Sequence, residues 1–346
     1  MSLANDVSAA APTDAELIAR CAAVIDVPKE APPDSFVLHA PLELLARALL
    51  LERVPSDARP RARQRLEWLA DTYAAAGPSA TSTPPADDRA IDDVLLSLAA
   101  AGHAPILLSL RARVDVVPAT FGSRLVAGEM ARYPDWSLSW PRVRNATGVS
   151  RGDLAEQLAA PRSPGDPGSD FIYPTMHLVD ESGLAAEVLD GPLRSMRVDD
   201  ARRTLLRVAA QSMLQDNPDA APYGWTHCLT MPQAVLATAG QATDPDLAVA
   251  VAATYVLGFR ATQGRVRLDP AWTPAPDSAA ERVWRASDDD LVPLVDEIVT
   301  YGAIHRDAHV AKYTLACLDA TADDPDAGRL FLAAAANLHE WWKAVE

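Results

Sequence analysis

Apolar residues recur at three- and four-residue spacing along almost the whole chain, whereas runs that alternate apolar and polar at every second position are scarce. The first pattern lays an apolar stripe along an α-helix and the second would mark a strand, so the sequence predicts an all-α fold. Helices are expected after Thr13, after Asp34 or Ser35, from Ser56 to about Ala76 and from Ala86 to about Ala101, each opened by a polar cap or a proline. Further helices are expected over about 185–190, 199–215, 224–239, 244–260, 278–285, 288–301, 303–321 and 325–344.

Most connections are short. Three longer segments rich in Pro, Gly or Ser, at 77–88, 160–174 and 264–278, read as linkers or lids, the middle one as the cover of a pocket. No fixed-period repeat or heptad run is present, which excludes a solenoid or coiled coil. The reading is a tail over residues 1–12 followed by a single large multi-helix domain over 13–346; two lobes meeting near 165 are the alternative.

Composition narrows the function classes. The 346 residues are 49% hydrophobic, enough to build a real core, and carry a formal charge of −16. That charge opposes nucleic-acid binding, which needs a concentrated cationic footprint. No stretch approaches the roughly 18–20 apolar residues of a membrane span, and the start lacks a basic region followed by an apolar core, so a cytoplasmic protein is expected. Cys21, Cys228 and Cys317 are widely spaced in apolar helical patterns, which predicts buried, reduced thiols without a disulfide or thiolate cluster. A homo-oligomer is compatible with the sequence.

The candidate chemistry lies with the histidines. In "VTYGAIHRDAHVAKYTLACLDA", residues 299–320, one continuous helix would hold His305, His309 and Lys312 within an arc of about 60°. Asp307 would point about 200° from His305 and could not join them. Such a stripe faces either bulk solvent or an enclosed polar pocket. Histidines at i and i+4 can clasp a metal, but no further ligand follows from the pattern, so the site is read as metal-free.

In "YGWTHCLTMPQAVLATAG", 223–240, Pro232 suits the first turn of a new helix capped by Thr230. His227 would then stand ahead of a helix N-terminus, where free N–H groups favour an anion, with Trp225 beside it as a contact or as packing. In "GHAPILLSLRARV", 102–114, His103 precedes a proline-started apolar helix; the same His-Ala-Pro triplet at His39 reads as coincidence. His177, in "PTMHLVDESG", is either a lid residue entering a pocket or an exposed loop histidine. His339, Trp341 and Trp342 read as a terminal helix docking on the core.

Three of these stretches resemble motifs of the questin oxidase-like family, helical proteins whose fungal members are associated with Baeyer–Villiger-type oxidation and ring opening of anthraquinones. The matching pieces are Gly102-His103-Ala104-Pro105 with the leucines after it, His227 to Thr230, and His305, His309 and Lys312; glycine stands at 102 where the family has asparagine. The resemblance implies an oxygenase-like oxidoreductase acting on a polycyclic aromatic or quinone-type small molecule. His103, His227, His305 and His309 would be the catalytic acids and bases, and Thr230, Lys312, His177 and Trp225 the substrate contacts. No dinucleotide fingerprint, P-loop or nucleophile elbow is present, so NADPH as electron source would need a site of another kind or a partner. The alternatives are a non-catalytic small-molecule binding or interaction protein and a histidine-metal hydrolase or oxygenase.

Overall fold

The computed structural model describes residues 11–30, 35–80, 103–132, 151–161, 171–189 and 196–346. The helices among them are α1 (Asp14–Ile25), α2 (Ser35–Leu51), α3 (Arg59–Ala75), α4 (His103–Arg111), α5 (Ser123–Arg132), α6 (Arg151–Ala159), α7 (Ile172–Glu181) and α8 (Leu184–Val188). They continue with α9 (Val198–Gln215), α10 (Thr226–Thr238), α11 (Pro245–Gln263), α12 (Ala279–Arg285), α13 (Asp288–Ile304), α14 (Ala308–Asp323) and α15 (Gly328–Val345). Strands are absent among the described residues, where an isolated antiparallel bridge joins Lys29 and Ser79. The fold is all-α, as the periodicity predicts. No helix among the described residues is long and apolar enough to cross a membrane.

Helix α11 is apolar around nearly its whole circumference, which requires cover on every side. It receives that cover from α7, α9 and α10. One core cluster runs from Leu17 to Trp342 and joins residues on both sides of position 165. Near the start, α1, α2 and α3 pack on one another, and α1 is fixed by a capping box between Thr13 and Glu16.

What positions the site is a closed circuit of packing: α2 against α4, α4 against α10, α10 against α14, and α14 back against α2. Each of these helices carries a histidine near its N-terminal end: His39, His103, His227 and His309 in that order.

Two expectations about local structure are corrected. The stretch 299–320 is two helices, because α13 stops at Ile304 and His305 adopts extended backbone, with φ −58° and ψ 147°. Asp307 then opens α14 by accepting the backbone N–H of His309 at 2.7 Å. An aspartate offered as an N-cap competes with helix continuation, and here the cap prevails. Pro232 does not begin a helix: α10 runs through it, and Thr230 sits mid-helix with its hydroxyl donating to the Thr226 carbonyl at 2.8 Å. The entry to α10 is a π-turn over Ala221–Trp225, anchored by the Thr226 hydroxyl on the carbonyls of Pro222 and Tyr223.

Helices α5, α6 and α7 fall where no helix is expected from the pattern. The expected helix at 86–101 lies outside the described residues, as do residues 1–10 and most of the 77–88 and 160–174 segments. The 264–278 segment is irregular, as read.

Candidate functional site

Four histidines meet where the first turns of α2, α4, α10 and α14 come together. The Nε2 atoms of His39 and His309 are 3.1 Å apart. The ring of His103 lies 4.8 Å from that of His39, centre to centre and 73° inclined, and the ring of His227 lies 5.0 Å from that of His309 at 77°. Tyr223 presents its ring to His309 at 5.0 Å and 81°.

The far side of each paired imidazole is already committed. His39 Nδ1 is 3.0 Å from the Ser35 carbonyl, which can only accept. His309 Nδ1 is 3.0 Å from Asp307 Oδ1, the carboxylate oxygen that also caps α14. Both Nδ1 atoms therefore carry the proton, and in neutral rings both Nε2 atoms are bare lone pairs facing each other.

Protonating one ring would relieve that opposition, but the surroundings resist it. Burial pushes His309 down to about 4, and the neighbouring Lys312 charge acts in the same direction against the pull of Asp307. Burial also holds His39 well below the ordinary histidine range, again with Lys312 and the other histidines adding to the effect. The N-terminal ends of four helices contribute partial positive charge of the same sign. Burial alone would raise Asp307, but its hydrogen bonds and charge pairing with His309 outweigh that and hold the carboxyl below its usual range.

Neutral imidazoles with free Nε2 atoms are the form in which histidine binds metals. The ring spacings, 4.7 Å for His39–His309, 4.8 Å for His39–His103 and 5.0 Å for His227–His309, are those of tilted or edge-to-face packing. The set is a facing pair with two flanking rings, and among the described residues no group of three or more His, Cys, Asp or Glu fits a metal ion.

A cavity of about 330 Å³ lies between α4, α9, α10 and α14, and none of the four histidines is part of its lining. Ile106, Leu110, Ala234 and Leu315 make its apolar walls, Thr230 and Gln233 add polar atoms, and Lys312 is part of its lining. Lys312 is 4% exposed, and burial pushes its ammonium down to about 8 against the attraction of Asp307 and Glu43. The cavity's other charged residues are paired: Arg113 with Asp319, and Arg202 with Asp323.

The expected site is thus redrawn. His103, His227, His309 and Lys312 come together, and Thr230 lines the cavity without capping a helix. His305 does not join them: its Nε2 meets the Glu346 carboxylate at 3.0 Å, its Nδ1 accepts the Asp307 N–H, and its ring neighbours are Tyr301 and Trp342. The helix break sends it to the other side. Trp225 is fully buried and donates its indole N–H to the Asn217 carbonyl at 2.8 Å, so it packs and does not face a ligand. His177 lies in helix α7, half exposed, beside Glu181 and stacked on Tyr173.

His39 and Asp307 are the residues of the cluster that the pattern misses. The signal for His39 was the repeated His-Ala-Pro triplet, since both copies place a histidine early in a helix and the two rings pack together. No family model, curated protein or solved structure matches this chain.

Proposed function

We propose that the protein is an oxygenase-type oxidoreductase acting on a polycyclic aromatic or quinone-type small molecule, with acid–base chemistry at the cluster of His39, His103, His227 and His309. The observation that carries the reading is the pair of Nε2 atoms 3.1 Å apart, each on a ring whose other nitrogen is already a donor. Lone pairs so placed, on rings that the buried, cation-flanked setting keeps neutral, can accept a proton from a bound phenol.

The protein's own part is binding and proton handling. The apolar walls of the cavity suit a flat aromatic body, and its volume lies within the usual range for small-molecule sites. Lys312, in its charged form, stabilises a phenolate or enolate oxygen at the cavity wall, and the resemblance of the histidine segments to the questin oxidase-like family points to the same substrate class.

Oxygen consumption with hydroxylated anthraquinones, with and without NADPH, tests the proposal. Substrate-dependent oxygen uptake that is lost in His309→Ala is expected, and no uptake with any of them would overturn it. The second reading is a binding site without turnover, favoured by the apolar walls of the cavity. Anthraquinone binding without oxygen uptake would select that reading.

A further inference from the structure

Helix α2 bears more than His39 toward α14. His39, Glu43 and Arg47 follow at four-residue intervals and share one stripe of the helix. Arg47 is 1% exposed, and its guanidinium is fully used: Nε donates to Glu43 Oε1 at 2.7 Å, Nη1 to the carbonyls of Gly302 and Ala303 at 3.2 and 2.6 Å, and Nη2 to the His305 carbonyl at 2.5 Å. These are the carbonyls that the end of α13 leaves without helical partners. From α3, Arg65 reaches the same Glu43 oxygen at 2.9 Å and the Arg306 carbonyl at 2.6 Å.

The segment so gripped, 302–306, immediately precedes Asp307, which both caps α14 and holds the His309 ring. One stripe of α2 therefore presents His39 and also fixes the backbone that aims His309. We infer that Glu43, Arg47 and Arg65 are positioning residues that set the separation of the His39 and His309 nitrogens. The inference rests on the proposed acid–base role of this pair for its function, but the geometry it claims is read from the rings themselves.

A chain held only by packing would not need three donor nitrogens on four carbonyls within residues 302–306; a bend whose angle matters does. Lysine at 47 keeps the charge beside Glu43 and loses the fork that spans Gly302, Ala303 and His305. The control is Arg260→Lys, at a guanidinium equally buried and equally spent on carbonyls, but gripping Leu158, Ala159 and Val266.

The experiment records ¹⁵N-resolved imidazole signals of wild type, Arg47→Lys and Arg260→Lys, then titrates each with a hydroxylated anthraquinone. Arg47→Lys is expected to shift the ring signals of His39 and His309. Arg260→Lys is expected to change stability and leave both ring signals in place. Unchanged His39 and His309 signals in Arg47→Lys would overturn the inference. If that variant does not fold, Arg65→Met, at a side chain nearer the surface, decides by the same signals. Wild type that binds no anthraquinone counts against the proposed function alone, because the ring signals still report the positioning.

Discussion

His39 and His309 are separated by 270 positions in the chain, yet their Nε2 atoms lie 3.1 Å apart. Neither ring has an alternative use for that nitrogen, since the Nδ1 atoms are held by Ser35 and Asp307. Replacing either histidine by alanine should therefore lower turnover by about 10²- to 10⁴-fold, the usual contribution of a positioned acid–base group. Far-UV circular dichroism should stay helical. Full activity in His39→Ala would remove this residue from the site.

Asp307→Asn separates the cap from the charge. Asparagine caps helices as well as aspartate does, so unfolding stability should change by less than about 0.5–1 kcal/mol. The amide no longer raises the basicity of His309, so that ring should titrate still lower and turnover should fall. Imidazole signals followed across pH alongside urea unfolding check both halves; an unchanged His309 titration would make Asp307 a cap only.

A stability effect with a defined pH sign is expected away from the site, at His339. Burial pushes this ring down to about 3, with Lys343 and His305 adding to the shift, and its Nε2 meets the Thr314 hydroxyl at 2.8 Å. The unfolded chain binds a proton there below about 6.5, the folded protein only below about 3, so acidification through that window favours unfolding. His339→Gln, which cannot titrate, should flatten the fall in stability between pH 6.5 and the acid end. Urea midpoints at pH 7 and pH 4.5 give the comparison, and an unchanged slope would contradict it.

Gly302→Ala probes the seam between α13 and α14. A β-carbon at 302 would stand 2.6 Å from Thr314 Cγ2 and Oγ1, beside the carbonyl that Arg47 holds. Buried overpacking of this kind costs about 1–3 kcal/mol, and the shift should also move the His309 ring. Thermal unfolding checks the first effect and the imidazole signals the second; a neutral substitution would mean that the seam yields easily.

Much of the fold was legible because helices bury stripes, and stripes survive in sequence as spacing. The apolar circumference of α11 and the capped start of α1 are readable one residue at a time. The site was legible only in part. Periodicity assumes that a helix continues, and nothing in the spacing from Val299 to Ala320 reveals that Asp307 stops it; the stop depends on Arg47, more than two hundred residues earlier, taking up the carbonyls that are released. Once the helix breaks, His305 and His309 part, and Asp307 moves from the wrong face to hydrogen-bonding distance. His39 was overlooked for the opposite reason: a three-residue repeat is too short to argue from until the two copies are seen to touch.

The four histidines sit within the first five residues of their helices, and helix starts are where helices fray. The packing of their rings fastens four loose ends with one knot. Tightening or loosening it would then be felt along the sequence at four distant places together, as amide exchange changing near residues 39, 103, 227 and 309 in concert.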